Sequence, residues 1–219
     1  MKKKKLLTFF LLFFLLIGWP LLSYLVMGQS QDEISEKLVN PALQLYLPTI
    51  IVEILIFLLI FLVLKREGEN LKTIGWRNFT FQNILIGFVF LIFANVFILV
   101  LSRLLNVTQP TEIKYLLPRN ITDRIFWILM SLTAGIVEET GFRGYVLTKL
   151  NLFVNNWWVT VLISSFFFGI GHFYQGPGGM ILTGVYGLLF CLVFIWRKSL
   201  YPGIFAHFLH DASVLFIPI

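Results

Sequence analysis

With 219 residues, 58% of them hydrophobic and 13% charged, and a mean hydropathy of +0.87, the chain carries more apolar surface than a water-facing exterior accommodates. That composition excludes an ordinary soluble domain and makes lipid the expected solvent. The formal net charge of +6 reads as topogenic, with Lys and Arg gathering at helix ends, and no stripe suited to nucleic acid is present.

The predicted fold class is all-α, a polytopic membrane helix bundle of about seven transmembrane helices. Each apolar run of about 20 residues rises far enough to cross a core of roughly 30 Å. Lys2, Lys3, Lys4 and Lys5 precede an uncharged stretch, residues 6–31. This stretch exceeds the about 7 to 15 residues of a signal-peptide core, so a retained anchor helix over 6–27 is expected, its N-terminus cytoplasmic. Val26-Met27-Gly28 is a weak cleavage-like sequence at its end.

Further helices are predicted over 42–64 and 82–105. The loop between the first two carries Asp32, Glu33 and Glu36 against Lys37 and belongs outside. The next, with Lys65, Arg66, Lys72 and Arg77, belongs inside. Within it, residues 71–81 set Ile74, Trp76 and Phe79 among charges and fit an interfacial segment or an ordinary loop equally. Residues 1–121 are thus read as N-terminal membrane helices. Residues 122–219 form a second part, with helices over 122–150, 156–174, 178–196 and 199–217, a turn around Gly176-Pro177-Gly178-Gly179, and both parts in one integrated membrane domain. Arg103, Lys114, Arg119 and Arg124 dissent from the alternation, because they fall in a loop predicted outside.

Charges cost about 2.5 to 3.5 kcal/mol each at the centre of a membrane on the insertion scale, so they persist where they pair, line a wet cavity or do chemistry. Glu138, Glu139, Arg143, His172, His207, His210 and Asp211 all interrupt apolar segments. Counting roughly 1.5 Å per residue from the inner ends puts Glu138, His172 and the His207 to Asp211 stretch at one level, as a single polar cavity requires. Glu139 and Arg143 are four apart and meet on one face, which leaves Glu138, turned about 100° away, to face the cavity. His207 and Asp211 have the same spacing. A carboxylate beside two imidazoles holds the parts for peptide hydrolysis: a base for water, and donors or a metal for an oxyanion. No serine sits in a nucleophile elbow, and Cys191 reads as a small buried apolar residue. Glu53, alone in the second helix, reads as cavity-lining, as a partner of Arg143 or as near a surface, and is left outside the site.

Three ordered motifs carry a resemblance. They are Glu138-Glu139-Thr140-Gly141-Phe142-Arg143 followed by Gly144, then Phe168 with His172, then His207 with Asp211. Together they resemble the CPBP intramembrane proteases, the CAAX proteases and bacteriocin-processing enzymes also called Abi or Rce1-like. The resemblance spans about residues 122–217. It implies an intramembrane endopeptidase of the bacterial cell membrane acting on a membrane-associated protein or peptide. In that reading Glu138 activates water with His172, while His207 and Asp211 stabilise the oxyanion; Glu139 and Arg143 complete the site. Better-known members often carry Asn where Asp211 stands. A carboxylate donates only when protonated, so Asp211 gains weight as an orienter of imidazole or a metal ligand. Glu138, His172, His207 and Asp211 are the candidate ligands for a divalent metal such as zinc, a metal-free glutamate mechanism being the other course. Alternatives of other classes are a bacteriocin self-immunity or scaffold protein acting by binding, and an ion-coupled transporter.

Overall fold

The computed structural model describes residues 2–27, 38–107 and 116–216, with side chains over 6–25 in the first segment. Among these residues the chain forms seven helices: α1 (2–27), α2 (Ala42–Glu67), α3 (Phe81–Leu104), α4 (Ile121–Val154), α5 (Trp157–Ile170), α6 (Gly176–Arg197) and α7 (Tyr201–Ala212). Five helical stretches, those of α1 to α4 and Phe173–Arg197, are long and apolar enough to cross a membrane, and the shorter α5 is apolar throughout. The chain is an all-α, multi-pass membrane protein.

Polar residues start the helices where the apolar runs begin. The Thr80 hydroxyl accepts from Asn83 N–H, Asn120 Oδ1 from Asp123 N–H, and Asn156 Oδ1 from Trp158 and Val159 N–H, so α3, α4 and α5 each begin on a side-chain cap. Left-handed Gly68 closes α2. Helix α3 leaves Leu85, Val89, Ile92, Phe93 and Val96 exposed, a face that lipid covers.

Packing brings the polar residues inward. Helix α7 lies against α3 and α4 and touches α6; α5 packs on α6, and α2 on α4. The α5–α6 approach is close enough that a Cβ on Gly169 would stand 2.7 Å from the Met180 carbonyl oxygen. In mid-course α4 widens into a π-helical stretch, Glu139–Val146, in which all eight residues are buried. Such local unwinding recurs at functional sites.

Two boundaries differ from expectation. Helix α5 stops at Ile170, so His172 stands in the turn that leads into the Phe173–Gln175 3₁₀ segment instead of within a membrane helix. The turn expected around Gly176-Pro177-Gly178-Gly179 is already helical. Pro177 occupies the first turn of α6, where its missing N–H costs nothing, so the break moves N-terminally to residues 171–175. The α7 helix ends at Ala212 and continues as a Ser213–Phe216 3₁₀ turn.

On the side expected to face the cytoplasm, buried Lys149 pairs with Glu67 at 2.8 Å and Glu69 at 2.5 Å, and the Thr8 hydroxyl donates to Glu67. The 71–81 segment tucks under the bundle: Trp76 Nε1 donates to Thr140 Oγ1 at 3.0 Å, and Gly75 O accepts from Leu200 N–H. The acidic loop residues Asp32, Glu33 and Glu36, with Lys37 and Lys114, lie outside the described residues.

Candidate active site

His207, on α7, is the centre on which three of the predicted residues, Glu138, Glu139 and Asp211, converge. Its Nδ1 lies 3.2 Å from Glu139 Oε1, while Nε2 is 3.5 Å from Asp211 Oδ2 and 3.9 Å from Glu138 Oε2. Glu139 Oε1 also stands 3.1 Å from Arg143 Nη1. Beside that guanidinium Glu139 is a carboxylate and accepts, so His207 Nδ1 carries a proton and donates. The other nitrogen faces Glu138 and Asp211. Close approach is possible because α7 has no side chain at Gly203, where a Cβ would come within 2.7 Å of Glu139 Oε2.

Arg143 is about as buried as a side chain can be, at 1% exposure, and two aromatic rings flank it. Its guanidinium carbon lies 4.0 Å from the Phe168 ring centre and 5.1 Å from that of Phe190. The facing Nη1 meets Glu139 without a straight hydrogen bond, and Nε has no hydrogen-bond partner among the described residues. The ring faces therefore supply part of the stabilisation that water would give outside the membrane. Phe168, whose sequence signal was only its spacing to His172, thus holds the cation, and its carbonyl oxygen accepts from His172 Nδ1 at 2.8 Å. A carbonyl can only accept, so His172 carries its proton on Nδ1 and a neutral ring keeps its lone pair on Nε2.

A cavity of about 440 Å³ joins these parts, with Arg143, His172, His207 and Asp211 on its wall. His172 thereby shares a space with the His207 cluster, reaching it from the turn after α5. Glu138, expected to face the cavity, is not among the residues that line it; its Oε2 is buried beside His207 Nε2 and makes no hydrogen bond among the described residues. Trp127 Nε1 donates to the Asp211 carbonyl oxygen at 2.9 Å and fixes the end of α7 against α4.

The candidate metal ligands do not form a metal-binding group. Among the described residues no three His, Cys, Asp or Glu side chains are disposed to hold an ion. One nitrogen of each of these two histidines is engaged, His172 Nδ1 by Phe168 O and His207 Nδ1 by Glu139, and Glu139 is shared with Arg143.

Residues 120–213 match the family model of the Rce1-like type II CAAX prenyl endopeptidases. That stretch of the chain is similar to this protease family, and all three motifs lie within the matched residues. No curated protein and no solved structure matches the chain.

Residues ahead of the matched stretch also reach the site. Glu53 on α2 is 2% exposed and accepts from the Thr133 hydroxyl, and Glu138, His207 and Asp211 are near enough to act on it through charge. It pairs with Thr133 and not with Arg143. Asn95 on α3 lines the cavity, as do Tyr186 and His210. The sequence signal for Glu53 was its isolation in an apolar helix; for Asn95 it was a single polar side chain among apolar neighbours.

Proposed function

We propose that this chain is an intramembrane endopeptidase that hydrolyses a peptide bond of a membrane-associated protein or peptide, with Glu138 as the base that activates water. The single observation that carries the reading is the Glu138 carboxyl. Its Oε2 is buried and without a hydrogen bond, and it stands 3.9 Å from the nitrogen of an imidazole that Glu139 anchors from behind. A buried carboxylate oxygen without a hydrogen bond is costly in a membrane, and an acceptor waiting for a water proton gives it a use.

The reaction follows from the groups present. Glu138 takes a proton from water while the oxygen adds to the scissile carbonyl carbon, and the carbonyl oxygen becomes an oxyanion. His207, doubly protonated, donates to it from Nε2 while Nδ1 remains on Glu139. The proton held by Glu138 then passes to the leaving nitrogen, and the C–N bond breaks. His172, which lines the same cavity as His207, keeps Nε2 as a second acceptor for the water. Asp211 acts on the His207 ring, 3.5 Å away, as an orienter. No step here runs through a metal.

The test compares membranes of cells carrying the wild type and Glu138→Gln. The variant keeps the side chain's shape and loses the base, so an uncut membrane peptide accumulates while the protein still inserts. Cleavage that continues in Glu138→Gln rejects the assignment.

A further inference from the structure

A peptide that enters an intramembrane cavity brings main-chain N–H and C=O groups that leave their water behind and need new partners. The His207 and Asp211 end, beside Glu138, serves the bond being cut. The cavity does not stop there. Its wall continues to a second polar group made by Asn95 on α3, Tyr186 on α6 and His210 on α7.

The Tyr186 hydroxyl is 3.4 Å from Asn95 Oδ1 and 3.3 Å from His210 Nδ1. Both contacts are long beside the usual 2.7 to 2.8 Å of about ideal O–H···O bonds, so they can be exchanged for stronger ones. Asn95 Nδ2 is held by Leu91 O at 2.9 Å, which leaves Oδ1 as the acceptor turned toward Tyr186. The ring of Phe190 connects the two ends, with its centre 5.2 Å from Tyr186 and 5.7 Å from His207. His207 and His210 are three apart on one helix, roughly 5 to 6 Å between Cβ atoms. An extended peptide advances about 3.3 to 3.6 Å per residue, so that interval matches one to two residues of substrate.

We propose that Asn95, Tyr186 and His210 form a subsite for the main chain of a peptide substrate, one to two residues from the bond that is cut. A substrate N–H donates to Asn95 Oδ1, and the Tyr186 hydroxyl turns to donate to a substrate carbonyl. The subsite rests on the endopeptidase reading, and it assigns a binding role to α3, which lies ahead of the matched stretch.

The full chain, purified in detergent micelles, is given a proteome-derived peptide library, and the products are read by mass spectrometry. For a peptide that the wild type cuts, Tyr186→Phe and Asn95→Leu each raise KM by about 3- to 10-fold, the worth of a neutral hydrogen bond, and leave kcat within about twofold. In a Glu138→Gln background the same substitutions weaken binding of that peptide, followed by fluorescence anisotropy, by the same factor. Tyr186→Phe removes one oxygen atom, so it carries the test if Asn95→Leu fails to fold. An unchanged KM, or a fall in kcat alone, overturns the subsite while cleavage itself stands. If the wild type cuts nothing in the library, the endopeptidase reading falls and the subsite with it.

Discussion

Glu139 holds His207 by its inner nitrogen, 3.2 Å from carboxylate to Nδ1, with the same oxygen 3.1 Å from Arg143. One acid thus fixes both the imidazole and the cation. Removing a partner from a buried ion pair leaves the other charge without compensation, a loss of about 3 to 5 kcal/mol. Glu139→Gln is therefore expected to lower thermal stability in detergent and to reduce kcat/KM by about 100-fold or more, because a small misplacement of a reacting group costs about that much. Full activity in this variant means that His207 is oriented by something else.

The space for that contact comes from the missing side chain at Gly203. Gly203→Ala puts a Cβ 2.7 Å from Glu139 Oε2, against a carboxyl held on its other side by Arg143. Overpacking of this kind costs about 1 to 3 kcal/mol. Cleavage should fall more than the melting temperature, since the displaced group belongs to the site. A wild-type rate from Gly203→Ala contradicts the tight approach of α7 to α4.

The spans were legible because uninterrupted apolar runs have one outcome in a membrane, and the i, i+4 spacing of Glu139 and Arg143 paired them before any coordinates. What was not legible depends on neighbours in space. Pro177 signals a turn or a helix start equally well, and only the packing of α6 on α5 chooses the start, which moves His172 out of its expected helix. The aromatic flanks of Arg143 lie on α5 and α6, at positions whose residue type, Phe, is the commonest aromatic of the chain. Which nitrogen of His172 and of His207 is engaged was not legible either; the contacts to Phe168 O and Glu139 decide it.

Asp211 sits where an amide would also fit. Its Oδ2 is 3.5 Å from His207 Nε2, so its proposed work is to orient the ring. Asp211→Asn keeps a polar group at that distance and is expected to retain roughly a tenth or more of wild-type kcat/KM. Asp211→Leu removes it and is expected to lose about 100-fold, within the range that positioned acid–base groups contribute. Equal activity in the two variants, measured on one peptide, removes Asp211 from the mechanism.

Glu53 raises a question of charge. Glu53, Glu138 and Asp211 stand near His207, while Glu139 is paired with Arg143. The carboxyl of Glu53 is held by the Thr133 hydroxyl, whose other neighbour is Met130 O at 3.1 Å, and not by a cation. Like charges in a low-dielectric space repel strongly, so an acid here opposes folding unless the site needs it. Glu53→Gln keeps an oxygen for Thr133 and removes the ionisable group. It is expected to raise the melting temperature of the full chain in detergent by about 2 to 4 °C, the shift that about 1 kcal/mol gives a chain of this size. Glu53→Ala, which also gives up the hydrogen bond and the packing, should lower it. A lower melting temperature for Glu53→Gln would mean that attraction to His207 outweighs repulsion from Glu138 and Asp211, and that Glu53 is a stabilising counter-ion of the site.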